Sequence, residues 1–194
     1  MLNNVISFLR RRIFRDSRAR WNYSFDKNRS EKLKHGDEVA RQQIAADFCE
    51  KYKTNAKVLE VGCGEGVFAE LMKKQPYTYF EGSDISDLAI KNCQIYADKK
   101  TFFAAGDMNT YLPKKTPFDI IVINEAIYYA PNPTKLLQRY KTFMNPDGIF
   151  VISIHEREGN KKVWENLKSN VELLDAHTFA GKDNTWTCPV MRLK

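Results

Sequence analysis

Three glycines spaced by two, Gly62, Gly64 and Gly66, join an apolar run to the start of a helical pattern, and this junction constrains the chain more than any other stretch. Ahead of it, Lys57-Val58-Leu59-Glu60-Val61 reads as a strand broken by one acid; behind it, Val67-Phe68-Ala69-Glu70-Leu71-Met72 has helical spacing. Strand, glycine turn and helix start form a ligand-binding device. Glycine permits positive φ and close approach of a ligand to the main chain, and the opening helix aims free N–H groups at what binds. Spacing decides which ligand. The dinucleotide fingerprint is G-x-G-x-x-G, whereas this chain has G-x-G-x-G with Glu60 just ahead. A carboxylate at the end of the strand suits an ammonium and repels a pyrophosphate, which argues against NAD.

The next acids recur at βαβ intervals. Tyr77 to Ile85 reads as a second strand, and Asp84 lies twenty residues after Gly64, where an acid at the carboxyl end of the neighbouring strand accepts both ribose hydroxyls. Ser86 caps the helix that follows. A third strand, Thr101 to Ala105, closes on Gly106-Asp107-Met108. A carboxylate there can accept from an exocyclic adenine amine while Met108 covers the ring.

The glycine motif and the two later acids resemble those of the class I S-adenosylmethionine-dependent methyltransferases, and the likeness covers the chain from about Trp21 onward. It implies S-adenosylmethionine as cofactor and S-adenosylhomocysteine as product, held by Glu60, Gly62, Cys63, Gly64, Asp84, Ile85, Asp107, Met108 and Asn124. It also implies an α/β fold: a doubly wound seven-stranded sheet of order 3-2-1-4-5-7-6, strand 7 antiparallel, with helices on both faces. Pro189 resists this pattern, because it falls inside an interior strand where a missing N–H is poorly tolerated. Either the strand is short or bulged there, or the hairpin departs from the usual form.

The fourth strand, Ile120 to Ile123, is apolar throughout, as in a strand covered on both faces. It delivers Asn124-Glu125-Ala126-Ile127-Tyr128-Tyr129 to the carboxyl edge of the sheet, where open α/β sheets bind ligands. This segment is similar to that of small methyltransferases, some of them linked to saccharide or nodulation-factor modification. By that likeness Asn124 borders the cofactor, and Glu125, Tyr128 and Tyr129 face the acceptor; the tyrosines could equally pack under a loop. Because the sulfonium methyl is already activated, alignment of the acceptor is most of the catalysis. Glu125 is the first candidate for orienting or deprotonating the nucleophile, and His155, just past the fifth strand, is the second. The expected reaction is methyl transfer to an O or N nucleophile of a small molecule, a saccharide or its precursor. An RNA methyltransferase and a non-catalytic cofactor-binding protein are the alternatives.

A helix is expected over Asp37 to Tyr52, one from Asn132-Pro133 through Met144, and a fifth strand over Ile149 to Ile154 after the Asn145-Pro146-Asp147-Gly148 turn. The 194 residues are enough for one domain, read as a basic arm, 1–36, followed by a cofactor-binding domain, 37–194. Cys49, Cys63, Cys93 and Cys188 lie far apart with no C-x-x-C pair, which points to a reducing compartment and no metal.

The net charge of +7 is uneven: residues 1–41 carry eleven Lys/Arg against five Asp/Glu. Leu2, Val5/Ile6, Leu9 and Ile13 follow helical spacing, and Arg10, Arg11, Arg12, Arg15, Arg18 and Arg20 come with or after them, the reverse of a secretory signal. The arm therefore reads as retained and the protein as cytoplasmic. A solvated amphipathic helix, contact with acidic membrane lipid and binding of nucleic acid or an anionic substrate are its three meanings. Trp21 and Tyr23 are candidate acceptor contacts if the arm folds over the site.

Overall fold

The structure, a computed structural model, describes residues 17–27 and 31–194. Two short helical pieces lead in: α1, Arg18–Asp26, and a single 3-10 turn, Glu31–Lys34. The alternating part follows as α2 Asp37–Tyr52, β1 Ala56–Val61, α3 Val67–Met72, β2 Tyr77–Asp84, α4 Asp87–Cys93, β3 Thr101–Ala105, β4 Phe118–Asn124, α5 Pro133–Lys141, β5 Met144–His155, α6 Glu158–Lys168, β6 Val171–Ala180 and β7 Thr185–Leu193. The strands form one sheet of order β3-β2-β1-β4-β5-β7-β6. All neighbours are parallel except β7, which is antiparallel to both β5 and β6. This is the expected topology.

The period-2 rule divides the apolar strands between two cores. In β4, Ile121 and Ile123 enter the core shared with α5 and α6, while Ile120 and Val122 enter the one shared with α2 and α3. In β5, Phe150, Ile152 and Ile154 face the first, and Ile149 and Val151 the second. A run apolar at every position is thus what a strand covered on both faces requires. The reversal of strand order between β1 and β4 leaves a crevice at the carboxyl ends of the central strands, where ligands bind in such sheets.

Two local expectations change. The helix that begins at Asn132-Pro133 ends at Lys141, short of Met144, which pairs with Phe118 and opens β5. The Asn145–Gly148 turn becomes an irregularity within the ladder, held by Asn145 Nδ2 donating to Asp119 Oδ1 at 2.7 Å. Pro189 lies within β7, and the pairing to β5 jumps from Val151–Val190 to Ile154–Thr187 without a change of register. The ladder simply lacks pairs at Cys188 and Pro189. A bulge lies on the other neighbour, at Leu174 of β6, between the pairs Leu173–Met191 and Asp175–Val190, while Pro189 itself pairs with Ala176.

Candidate active site

The turn from β1 to α3 keeps all three glycines at positive φ, +81° for Gly62, +52° for Gly64 and +84° for Gly66. At Gly62 a Cβ would also come within 2.7 Å of the Ala126 Cβ, so the turn is closed to any side chain there. Backbone N–H groups of Gly62 and Cys63 donate to the Ser83 carbonyl at 2.7 and 2.9 Å, tying the turn to β2. Asp84, at the end of β2, accepts from Gly64 N–H at 2.9 Å through Oδ2 and from Ser86 N–H at 2.8 Å through Oδ1. Burial nevertheless outweighs these bonds and raises its pKa.

The segment after β3 is fixed before any ligand arrives. Asp107 Oδ1 accepts from the Asn109 backbone and side chain, both at 2.8 Å. Tyr140 Oη donates to the Met108 carbonyl at 3.0 Å, and Arg139 donates to the carbonyls of Asn109 and Tyr111. The buried Glu81 carboxylate takes the Tyr111 hydroxyl at 2.6 Å and the Lys114 N–H at 3.0 Å.

Three carboxyl or amide groups at the strand ends are incompletely bonded. Glu60 is 1% exposed and accepts one bond, from Asn124 Nδ2 at 3.3 Å. Its other oxygen, the Asn124 carbonyl oxygen and Glu125 Oε1 are buried with no partner among the described residues. Desolvation pushes Glu60 up to about 8 and Glu125 up to about 7. Glu125 also sits at φ +51°, a conformation costly for a residue with a Cβ and found where function over-determines the backbone. Its second oxygen accepts from Tyr128 Oη at 3.0 Å.

These groups meet in one cavity of about 360 Å³, within the range of small-molecule sites. Glu60, Gly62, Cys63, Gly64, Asp84, Ile85, Asp107, Met108 and Asn124 all line it, as do Glu125, Tyr129 and Trp21. Its roof is α1. Trp21 meets Tyr129 edge-on at 5.2 Å, and Phe25, 6% exposed, lies over the glycine turn. Asn22 Oδ1 anchors the helix by accepting from Ser86 Oγ at 2.6 Å and Leu88 N–H at 3.3 Å.

Three sequence candidates stand apart from this cavity. Tyr23 is 52% exposed with Lys27 Nζ 5.7 Å from its ring centre. The segment is a helix, so positions 21 and 25 share the inner face and 23 turns outward. The His155 ring packs at 5.5 Å against Trp186, its partner across the β5–β7 ladder, and does not line the cavity. Tyr128 stands behind Glu125 rather than in the wall, its ring 4.7 Å from that of Tyr129.

One residue that the sequence reading passed over belongs at the centre. Arg41 of α2 is 3% exposed and lines the cavity. It donates to Glu38 through Nε and Nη2, at 3.2 and 2.9 Å, and to Ser153 Oγ through Nη1 at 2.7 Å. Its charge lowers the pKa of both Glu60 and Glu125 against their burial. The signal was present: Arg41 stands four residues before Ala45 and seven before Phe48, on the buried stripe of the helix, where a cation needs a reason.

A methyltransferase-domain family model matches residues 25–189. The chain belongs to this family. It is 30% identical over 152 residues to a malonyl-[acyl-carrier protein] O-methyltransferase of Ilyobacter polytropus, a match covering 74% of this chain and 58% of that one. It is 27% identical over 119 residues to a ubiquinone biosynthesis O-methyltransferase of Histophilus somni, covering 57% and 49%. The chain thus spans about half the length of these curated relatives. Among solved structures, the N-methyltransferase NodS of Bradyrhizobium japonicum in complex with S-adenosylhomocysteine superposes with a TM-score of 0.71 at 18% identity, over 84% of this chain and 90% of that one. The fold is therefore that of the class I methyltransferases. Among the described residues no group of three or more His, Cys, Asp or Glu is placed to hold a metal, and no helix is long and apolar enough to cross a membrane.

Proposed function

We propose that this family member is an S-adenosylmethionine-dependent methyltransferase acting on an O or N nucleophile of a small molecule, a saccharide or its precursor. The observation that carries the reading is the pair of unsatisfied buried acids, Glu60 and Glu125, in one cavity with a glycine cradle. Unpaired buried carboxyl oxygens are costly unless a ligand completes them. Glu60 and Arg41 offer opposite charges to an amino-acid zwitterion: the glutamate takes the ammonium and the guanidinium the carboxylate. Asp84 retains acceptor capacity for two ribose hydroxyls, and Asp107 with Met108 suits an adenine. S-adenosylmethionine carries all of these groups, and when bound it supplies an activated methyl.

Glu125 supports the choice of acceptor. Held at positive φ, bonded on one side by Tyr128 and free on the other, it can accept at Oε1 the proton of a hydroxyl nucleophile, or that of an ammonium to free the neutral amine that attacks. An ionised glutamate would repel an acceptor that is itself a carboxylate, which favours a neutral or cationic group. Trp21 and Tyr129 give aromatic walls on which the CH face of a sugar can pack.

The test is a filter assay with methyl-labelled cofactor against a saccharide extract, a small-amine panel and total RNA. Label should enter the saccharide or amine fraction. With the acceptor identified, Glu125→Gln should reduce turnover by about 10² or more and leave cofactor affinity nearly unchanged. Wild-type turnover should rise with pH through about 7, as Glu125 ionises, and that limb should vanish in the variant. Label in RNA alone, or full turnover in Glu125→Gln, would contradict the reading.

A further inference from the structure

The guanidinium of Arg41 is fixed on two sides and open on a third. Glu38, one turn earlier on α2, accepts from Nε and Nη2 at 3.2 and 2.9 Å through a single oxygen, Oε2, as residues three apart on a helix can. Ser153 of β5, fully buried, accepts from Nη1 at 2.7 Å. A guanidinium has five N–H groups, and these bonds use three of them. The remaining two, one on Nη1 and one on Nη2, have no partner among the described residues, and Arg41 lines the cavity. N–H groups on the two terminal nitrogens form the fork that receives a carboxylate through parallel bonds. A buried ion pair that served only to tie α2 to the sheet would be a poor device, since apolar side chains of similar volume stabilise as well or better.

We infer, resting on the cofactor reading above, that Glu38 and Ser153 are positioning residues that hold the Arg41 fork where it receives the amino-acid carboxylate of the cofactor. A long side chain ordered in advance loses little freedom when the ligand arrives. Glu38 lies in the first turn of α2, where an acid is favoured, so one end of the clamp is built into the helix. The other end is built into the sheet. Ser153 pairs with Asn124 across the β4–β5 ladder, and its carbonyl accepts from the Glu125 N–H at 3.1 Å. The residue that anchors the fork therefore also anchors the segment that carries Glu125. The carboxylate end of the cofactor and the acceptor side of the cavity are thus referred to one point of β5, which serves a reaction that depends on alignment.

Calorimetric titration with two ligands tests this: S-adenosylhomocysteine, and S-adenosyl-3-thiopropylamine, the same molecule without its carboxylate. The wild-type protein should favour S-adenosylhomocysteine by about tenfold or more, the worth of hydrogen bonds between charged groups. Ser153→Ala and Glu38→Ala should each lower that ratio several-fold by weakening S-adenosylhomocysteine alone, and the unchanged affinity for the amine shows that the variants are folded. Glu38→Gln, which keeps an acceptor oxygen beside Nε, should retain most of the ratio. Asp84→Ala, at the ribose end, should weaken both ligands alike. If Ser153→Ala and Glu38→Ala also weaken both alike, or leave the ratio as it was, the pair is a structural tie and the inference is overturned. A wild-type protein that binds both ligands equally would overturn it too, while leaving the rest of the cofactor site standing. Binding of neither ligand would refute the cofactor reading itself, and this inference with it.

Discussion

Glu60 shows how one residue can carry the recognition of a cofactor. It is a carboxyl group in the core, bonded once, with burial holding its pKa near 8, so at neutral pH the unliganded protein keeps it largely protonated. An arriving ammonium stabilises the ionised form and expels that proton. Titration with S-adenosylhomocysteine at pH 7 in two buffers of different ionisation enthalpy should therefore report proton release. Linkage gives the matching stability effect. Glu60 and Glu125 both have folded-state pKa values raised above the ordinary glutamate value of 4.5, so the folded state binds protons more tightly than the unfolded one, and unliganded stability should fall as pH rises from about 5 to about 8. Thermal unfolding across that window should show a decline, and a smaller one with cofactor bound. No released proton and a flat profile would mean that Glu60 is ionised without a ligand.

Among the elements, α1 is the one whose role depends on a few contacts. It reaches the domain through Asn22 on the start of α4, Trp21 on Tyr129 and Phe25 over the glycine turn. Asn22→Ala removes the acceptor for Ser86 Oγ and Leu88 N–H, a loss of about 1 kcal/mol, and should speed the release of S-adenosylhomocysteine in stopped-flow measurements; an unchanged rate would make α1 a passive cover. The element scale also shows what the sequence made readable. Glycine spacing, the acid twenty residues on and the all-apolar fourth strand are local signals that located β1, β2 and β4, and the family resemblance they helped to carry implied the nine cofactor positions that line the cavity. What stayed hidden depended on contacts between distant segments. Arg41 was passed over although it lies on the buried stripe of α2, and only its bonds to Glu38 and Ser153 show why a cation is held there. Trp21, Tyr23 and Phe25 alternate in sequence, and only their helical state decides that the middle one faces out. Met144 belongs to a strand because Phe118 pairs with it, which no local propensity could specify. Pro189 was noticed, and its accommodation is the gap in the β5–β7 ladder, with Pro189 still paired to Ala176 of β6.

At the scale of the whole molecule, charge is spread unevenly along the chain. The positive excess lies in the first 41 residues, and Arg10, Arg11, Arg12 and Arg15 fall outside the described residues. The described residues that line the cavity run from Trp21 to Pro131. Deleting residues 1–16 should therefore leave S-adenosylhomocysteine affinity unchanged, and binding to acidic vesicles or RNA should be weak at low salt and absent at moderate salt. Tight, steeply salt-dependent binding lost in the deletion would assign those arginines to a polyanion.

The central claim is that the crevice between β1 and β4 is built for an S-adenosyl amino acid and not for a dinucleotide, and calorimetric titration with S-adenosylhomocysteine and with NAD tests it most directly. The account predicts one S-adenosylhomocysteine per chain, no heat from NAD, and a loss of about 1.5 to 3 kcal/mol in Asp84→Ala, the cost of hydrogen bonds to a charged acceptor. Saturable binding of NAD, or an affinity for S-adenosylhomocysteine that Asp84→Ala leaves untouched, would contradict it.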